Sequence, residues 1–274
     1  MNLVKWAGGK ARLAKSFREY FPKSSKTFYV EPFVGGGGSF LSLKGDFAAG
    51  ADQNQSLIYL WEAARDNLDA LIYGYEFYAE YHSEDGYNAA RKLYNDLIAD
   101  IGKHRIPDEK KQDIAILFLY LLSTGFNGLC RYSKKSGFNV PVGDKLPSSQ
   151  TLRDKLLVVA DRIKTTNFHC WDFEETIQHY QGKPGIFFYC DPPYSKVKGK
   201  GFQSYTGDWK YSDADRLKKV LTDSKCDFAV SEIDCQEVRD RYADCRFVEF
   251  QANRSIGGDR SKVDEVLILS QKIC

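Results

Sequence analysis

The sequence lacks several features that would assign it to a common class of protein. No C-x-x-C pair occurs among its seven cysteines, and its four histidines are not spaced as ligands beside a cysteine pair, so we expect no metal site. An odd number of cysteines in a chain of 274 residues also argues against a disulfide framework. No stretch approaches the roughly 20 consecutive apolar residues that a membrane-spanning helix needs.

The chain also has little excess charge. Its 39 basic and 37 acidic residues leave a net charge of +2, which excludes a histone-like polycation and an acidic solvating chain. Hydrophobic residues make up 43% of the sequence and aromatic residues 14%, enough for a substantial core. Because the basic, polar run after Met1–Trp6 is unlike a signal peptide, we expect a cytoplasmic protein without a membrane partner.

Two predicted strands flank a run of four glycines. The segment 27–30 predicts a buried strand, Gly35–Gly38 a turn that leads into a helix near 39–43, and 47–51 a second strand that ends before Asp52. This order is the outline of a nucleotide-binding β-α-β unit. Since glycine admits close backbone approach, the turn predicts contact with a ligand, and four glycines in succession predict an unusually permissive loop.

The middle of the chain has a helical pattern. Apolar residues recur at helical spacing in 57–64 and 114–122, and the polar and aromatic stretch 75–101 predicts shorter helices between them. The turn-forming residues of 134–137 predict the tip of a hairpin. We therefore predict a mostly helical insertion with a hairpin over 55–149.

Strand-like and helical runs alternate after residue 150. A helix is predicted near 151–163, and strands are predicted at 167–170, 186–190, 228–231, 247–250 and 266–269. Helical patterns separate most of these strands. An α/β domain formed by 1–54 and 150–274 is the resulting prediction.

The most specific motif is Asp191-Pro192-Pro193-Tyr194, directly after the predicted strand 186–190. Two consecutive prolines fix a rigid loop at the carboxyl end of the strand, where ligands bind in open α/β sheets. The Asp191 carboxylate and the Pro192 carbonyl could accept both hydrogens of an amino group on a heteroaromatic ring, and Tyr194 could stack on that ring. The alternative is a Pro-Pro turn with a capping aspartate, which the adjacent strand and the glycine turn disfavour.

The glycine turn predicts a second part of the site. Asp52, at the end of the following strand, is placed to accept hydrogen bonds from ribose hydroxyls. No G-x-x-x-x-G-K-[ST] pattern is present, which excludes an NTPase phosphate loop. Lys10 follows two glycines, but the first glycine and the Ser/Thr of that pattern are missing.

Several motifs, in order along the chain, carry a family resemblance. The F-V-G-G-G of 33–37 resembles the F-x-G-x-G motif of S-adenosylmethionine-dependent methyltransferases, and D-P-P-Y resembles the motif of amino methyltransferases that act on nucleic-acid bases. K-W-A-G-G-K at 5–10, N-G-L-C-R-Y at 127–132 and the closing R-S-I…K-V-D-E are similar to Dam-type DNA adenine-N6 methyltransferases. The resemblance covers essentially the whole chain.

The resemblance implies a fold and an activity. The fold is α/β, with a Rossmann-like methyltransferase sheet that has helices on both faces in 1–54 and 150–274, and a target-recognition domain over 55–149. The activity is methyl transfer from S-adenosylmethionine to N6 of an adenine flipped out of double-stranded DNA, in GATC. Cytosine N4 or RNA as the target, a catalytically silent relative and an unrelated oxidoreductase are the alternatives. We expect a monomer without an obligate protein partner.

The resemblance also implies roles for individual residues. Catalysis is expected of Asp191, Pro192, Pro193 and Tyr194. Cofactor contacts are expected at Trp6, Ala7, Lys10, Phe33, Gly35, Gly37, Asp52, Asp172 and Asp191. DNA contacts are expected at Lys5, Phe126, Asn127, Leu129, Arg131, Pro141 and Arg254. The chemistry agrees, because Arg131 can pair with guanine O6 and N7 while Leu129 and Pro141 can touch a thymine methyl group. Phe126 could fill the gap left by a flipped base, with ordinary packing as its alternative.

Basic residues fall in the segments that this family turns toward DNA. Seven lie between Lys5 and Lys26 against one acid, Glu19, and further clusters lie in 131–135, 196–200 and 254–262. We therefore predict one basic cleft on a nearly neutral protein, with salt-sensitive binding of DNA.

Overall fold

The chain forms two compact units. The computed structural model describes residues 1–11, 13–99, 101, 106–133, 135–194, 209–253 and 262–271. The first unit consists of Met1–Ala11, Gly35–Leu41 and Asn54–Cys170, and the second of Arg12–Val34, Ser42–Gln53 and Trp171–Cys274. The first unit thus contains all of 55–149 and, in addition, the amino-terminal segment and the glycine turn.

The elements follow the predicted order with boundaries moved by a few residues. Helices α1 to α10 are Ala14–Phe17, Phe40–Leu43, Gln55–Asp66, Leu68–Glu80, Glu84–Ile98, Asp108–Thr124, Ser149–Ile163, Phe173–Tyr180, Tyr211–Ser224 and Gln236–Arg241. Strands β1 to β9 are Phe28–Glu31, Ala48–Ala51, Tyr132–Ser133, Gly137–Phe138, Asn167–His169, Ile186–Cys190, Asp227–Ile233, Arg246–Asn253 and Lys262–Leu269. Throughout the described part of the chain, no helix is long and apolar enough to cross a bilayer.

The helices predicted in 75–101 are present, but they are not both shorter than their neighbours. The stretch contains the end of α4, which has 13 residues, and all of α5, which has 15, whereas α3 has 12 and α6 has 17. Tyrosine shares the buried faces with other apolar residues. Tyr75 lies beside Leu71 and Ile72 in α4, and Tyr87 and Tyr94 lie beside Ala90 in α5.

Parallel strands organise the second unit. Its strands lie in the order β2-β1-β6-β7-β9-β8, with β9 antiparallel to both of its neighbours. Strand β6 is buried at every position, as expected of a parallel strand that is covered on both faces. This mostly parallel sheet confirms the predicted α/β, Rossmann-like fold class.

The alternation of side chains along β6 accounts for the two covered faces. Phe188 belongs to a buried cluster with Ile177 of α8 and Leu217 of α9. The next residue, Tyr189, points the other way and packs on Phe17 of α1 with ring centroids 6.1 Å apart. Helices therefore cover the sheet on both sides.

The register brings several strand ends to one edge of the sheet. In the parallel pairs, Glu31 lies beside Gly50 and Val30 beside Phe188, so β1, β2 and β6 end within about one residue of the same level, while β7 continues to Ile233. The residues that follow these strands, including Asp52 and Asp191, therefore emerge at one edge, where α/β sheets bind ligands.

The first unit is built around helix α6. Its residues are buried on almost every side, and it packs against α3, α4 and α5. Buried tyrosines from the surrounding helices satisfy their hydroxyl groups with polar atoms of the same unit. Tyr94 stacks on Phe118 at 5.6 Å and donates to the Ser56 hydroxyl at 2.8 Å. Tyr87 donates to the Val140 carbonyl at 3.0 Å.

The glycine turn is tightly packed, so the prediction of a permissive loop is wrong. The Trp61 indole donates to the Gly35 carbonyl at 3.0 Å, and Leu3 N donates to the Gly36 carbonyl at 2.8 Å. A Cβ at Gly36 would lie 2.5 Å from the Val4 carbonyl oxygen. A Cβ at Gly37, which has φ +76°, would lie 2.5 Å from Trp61. Neighbouring protein atoms thus leave no room for a side chain at Gly36 or Gly37.

We predict that Gly37→Ala lowers the free energy of unfolding by about 2–4 kcal/mol, since the added methyl group overlaps the Trp61 ring and the residue is held at positive φ. Urea unfolding followed by circular dichroism measures the change. Gly45→Ala is the control, because a Cβ there meets nothing within 4 Å. Equal stability of the two variants would contradict the tight packing of the turn.

Buried tyrosines also set the response of the second unit to alkali. Burial raises the pKa of Tyr29, Tyr189 and Tyr242 well above 10, and the nearby Glu31 carboxylate raises the pKa of Tyr29 further. In the unfolded chain a tyrosine ionises near its ordinary pKa of about 10. Each of these tyrosines therefore stabilises the fold below pH 10, and this stabilisation is lost as the pH rises toward the folded-state pKa.

We predict that the free energy of unfolding falls above pH 10, by up to about 1.4 kcal/mol per pH unit for each such tyrosine. Urea titrations between pH 8 and pH 12, with tyrosinate absorbance at 295 nm recorded in parallel, test this. The last part of the absorbance change should accompany unfolding. Complete ionisation near pH 10 in a protein that remains folded would contradict the prediction.

Candidate active site

The D-P-P-Y loop continues directly from β6 at the carboxyl edge of the sheet. Pro192 is buried, and Asp191, Pro193 and Tyr194 are half-buried. The last residue of the strand, Cys190, is completely buried. Because each proline restricts its own backbone and that of the preceding residue, the loop holds its carboxylate and its aromatic ring at fixed positions.

Buried carboxylates surround this loop within the second unit. Glu31 at the end of β1 is 1% exposed, Glu232 in β7 is 2% exposed, and Glu265 in β9 is 6% exposed. The Tyr29 hydroxyl donates to Glu31 Oε1 at 2.5 Å. Charged groups are seldom buried so completely in a protein interior, and this concentration of negative charge favours a positively charged ligand.

The same charges act on the aromatic residue of the loop. Burial raises the pKa of Tyr194 well above 10, and the carboxylates of Asp191, Glu265 and Glu232 raise it further. Tyr194, which like any tyrosine is neutral at physiological pH, therefore stays protonated further into alkali than an exposed tyrosine does. It presents an uncharged ring and a protonated hydroxyl beside Asp191.

Aromatic side chains follow the end of β1. Phe33 stacks on Phe173 at 5.5 Å and meets the edge of Trp209 at 5.7 Å. The backbone N–H of Val34 donates to the Ala51 carbonyl at 2.8 Å, which ties this loop to the end of β2. Phe33 and the half-buried Asp52 therefore lie at the same sheet edge, as the sequence predicts.

Asp172 has a structural role that sequence reasoning did not identify. It is the N-cap of α8, accepting from Glu174 N at 2.8 Å through one carboxylate oxygen. Its other oxygen accepts from Gln53 Nε2 at 2.7 Å and from Arg216 at 3.1 Å. Asp172 thus holds Gln53, the residue that follows Asp52, in place.

The amino-terminal residues of the first unit pack against the glycine turn. A Cβ at Gly35 would lie 2.9 Å from the Trp6 ring, and Trp6 meets the edge of Phe118 at 6.5 Å. Lys10 is only 5% exposed and donates from Nζ to the Gly8 carbonyl at 2.8 Å. Trp6, Lys10 and the glycine turn are therefore together in this unit, while Ala7 is exposed beside them.

The residues predicted to contact DNA also gather in the first unit. Asn127 adopts the left-handed conformation with φ 55°, which reverses the chain after α6. Phe126 is 47% exposed, and its N–H donates to the Pro141 carbonyl at 2.9 Å. A Cβ at Gly128 would lie 3.0 Å from Lys5 Cδ, so Lys5 lies against this turn. Leu129, half-buried, comes next in the chain.

Arg131 is exposed, but its guanidinium group is held in place. Nε donates to Asn139 Oδ1 at 2.7 Å, and Nη2 donates to the Asn139 carbonyl at 3.1 Å. Asn139 belongs to the second half of the hairpin, after β4. Its role was not predicted from the sequence, where nothing marks it as a partner of Arg131.

Other predicted features fall outside the described residues. Arg254 lies there, as do the basic cluster at 196–200 and most of the closing cluster at 254–262.

The sequence did not single out Glu31 as part of the site, although its place between a buried strand and a proline is a signal that could have found it.

Comparisons with known proteins identify the family of this chain. A family model described as D12 class N6 adenine-specific DNA methyltransferase matches residues 6–256. A DNA adenine methylase of Haemophilus influenzae is 32% identical over 97% of this chain and 92% of its own length. One of Vibrio cholerae is 33% identical over 97% and 94%. A DNA N-6-adenine-methyltransferase of Escherichia phage P1 is 31% identical over 81% of this chain and 28% of its own length.

These matches confirm the predicted family and adenine as the methylated base, and they imply that the reaction uses a methyl donor. They do not favour the cytosine, RNA and oxidoreductase alternatives. With a family match over most of its length and a D-P-P-Y loop among buried carboxylates at the carboxyl edge of its sheet, the chain belongs to the D12 class of N6 adenine-specific DNA methyltransferases.

Proposed function

We propose that the protein transfers the methyl group of S-adenosylmethionine to N6 of an adenine that is flipped out of double-stranded DNA, in the sequence GATC. The observation that carries the proposal is the D-P-P-Y loop, whose Asp191 and Tyr194 lie among buried carboxylates at the sheet edge. We further propose that it acts as a monomer in the cytoplasm of a bacterium or of a phage-infected cell, where its DNA substrate is found.

The residues predicted to contact the cofactor have side-chain chemistry that fits it. S-adenosylmethionine supplies a methyl group on a positively charged sulfur, and buried carboxylates such as Glu31 favour a cation nearby. Asp52 follows β2, where it can accept hydrogen bonds from ribose hydroxyls. The rings of Trp6 and Phe33 offer aromatic faces, and Lys10 offers a buried ammonium group for a carboxylate. Asp172 would act through Gln53, by fixing the loop that carries Asp52.

The chain's own groups can prepare the amino group of adenine for reaction. Asp191 and the carbonyl of Pro192 accept its two hydrogens, which leaves the nitrogen lone pair less delocalised into the ring. Tyr194 stacks on the base and holds its plane, and Pro193 keeps the loop rigid. Because the methyl group is already activated, positioning and exclusion of water are expected to supply most of the rate enhancement.

We propose that 55–149 is the target-recognition domain. Arg131 would donate two hydrogen bonds to a guanine, and Leu129 and Pro141 would contact a thymine methyl group. Phe126 is exposed and could fill the space that a flipped adenine leaves in the duplex. Lys5, which lies against the same turn, would contact the same DNA site.

We predict that Asp191→Ala abolishes methyl transfer, and that Asp191→Asn lowers kcat by at least about 100-fold, because a charged acceptor for the adenine amino group is lost. The assay is transfer of labelled methyl groups to duplex DNA followed by nucleoside analysis, with N6-methyladenine as the expected product. Asp240→Asn removes an exposed carboxylate of α10 and should leave kcat unchanged. A folded Asp191→Ala variant with normal turnover would refute the mechanism.

We predict that DNA from cells expressing the protein carries N6-methyladenine in GATC, as read by sequencing of methylated bases. Arg131→Ala should relax the preference for guanine by about 10-fold, since one bidentate pair contributes about 1–3 kcal/mol of discrimination. Lys135→Ala removes a positive charge from the same hairpin and should weaken DNA binding without changing the preferred sequence. Methylation of adenine in another sequence would replace the GATC assignment.

A further inference from the structure

Asn139 binds one edge of the Arg131 guanidinium group and does not bind the donors at its end. Asn139 receives hydrogen bonds from Nε and Nη2, which are the donors on one edge of the guanidinium plane. The donors that remain are both hydrogens of Nη1 and the second hydrogen of Nη2. They form the end of the fork, which has the geometry for the two acceptors of a guanine edge.

The backbone on both sides of Asn139 is held by helix α5. Asn95 accepts from the Phe138 N–H at 2.8 Å and donates to the Phe138 carbonyl at 3.0 Å. Arg91 and Tyr87 donate to the Val140 carbonyl at 2.9 Å and 3.0 Å. These three helix residues are spaced four apart and so lie on one face of α5.

The hairpin therefore has little freedom where it meets Arg131. The two neighbours of Asn139, Phe138 and Val140, are 1% and 0% exposed. Asn139 N also donates to the Arg131 carbonyl at 3.1 Å, so the two residues are joined through backbone as well as side chain. A flexible arginine loses considerable side-chain entropy when it is fixed on a ligand, and this contact removes part of that loss before DNA arrives.

We infer that Asn139 is a positioning residue for sequence recognition: it orients the Arg131 guanidinium group so that the end of its fork meets a guanine. The inference rests on the proposed role of Arg131 as a reader of guanine. The amide suits this role because it accepts a hydrogen bond from Arg131 without placing a negative charge beside the acceptors of the base and the phosphates.

The test measures how strongly methylation depends on guanine N7. The substrates are a GATC duplex and the same duplex with 7-deazaguanine in both strands, which lacks the N7 acceptor. The ratio of kcat/KM on the two duplexes is determined for the native protein and for Asn139→Ala, Asn139→Asp and Arg131→Ala. Asn88→Ala is the control. Asn88 and Asn139 both line a cleft between α5 and the hairpin, but Asn88 does not bond to Arg131.

The native protein and Asn88→Ala should prefer the normal duplex by about 10-fold or more, and Arg131→Ala should lose most of this preference. Asn139→Ala should lose most of the preference, with a fall of up to about 10-fold for the loss of a hydrogen bond to a charged group. Asn139→Asp should retain the preference, because its carboxylate still accepts from Nε, while binding DNA more weakly. A merely structural role of Asn139 would lower activity on both duplexes equally.

Two results would overturn the inference in different ways. If Arg131→Ala prefers the normal duplex as strongly as the native protein does, the proposed role of Arg131 is wrong and the inference falls with it. If Arg131→Ala loses the preference but Asn139→Ala keeps it, only the positioning role is wrong. Should Asn139→Ala fail to fold, Asn139→Ser takes its place, since its shorter side chain cannot reach Nε.

Discussion

The burial of the parallel strands on both faces is the constraint on which the rest of the second unit depends. A strand such as β6 can carry only apolar or fully satisfied side chains along its length, because helices exclude water from both sides. Polar chemistry is therefore displaced to the strand ends, and the register of β1, β2 and β6 places the ends of these three strands at nearly one level. The concentration of Glu31, Asp52 and Asp191 at this edge follows from the fold itself.

The first unit meets a different constraint, which is close packing around the glycine turn. Trp61 contacts the turn and stacks on Phe168 at 4.9 Å, so the turn has one shape set by large side chains. A glycine run is usually taken as a place where a ligand approaches the backbone. Here a Cβ added to Gly35, Gly36 or Gly37 would come closest to Val4, Trp6 or Trp61, so the glycines are needed for the packing of the unit itself. The rigidity of this turn is what allows it to present its backbone at a fixed position.

Electrostatics explain why the overall charge of +2 says little about function. The buried carboxylates of the second unit lie around the D-P-P-Y loop, where they favour a cation and raise the pKa of Tyr194 further above the value that burial gives it. In the first unit, the exposed Arg131 is bonded to the neutral side chain of Asn139, so its positive charge is not neutralised by that partner. Negative and positive groups thus have different surroundings in one nearly neutral chain, so the distribution of charge indicates function where the net charge does not.

The sequence by itself determined the order of strands and helices, the family, and the loop of Asp191–Tyr194, since each depends on local periodicity or on a contiguous motif. It predicted helices in 75–101 without the ends of α4 and α5, because helix ends depend on packing with other segments, and it did not reveal the packing of Trp61 on Gly37. The tertiary structure decided the contacts between residues far apart in sequence, such as Gln53 with Asp172 and Asn95 with Phe138. Such pairs depend on where the fold brings two segments together, and no local pattern in either segment records its partner.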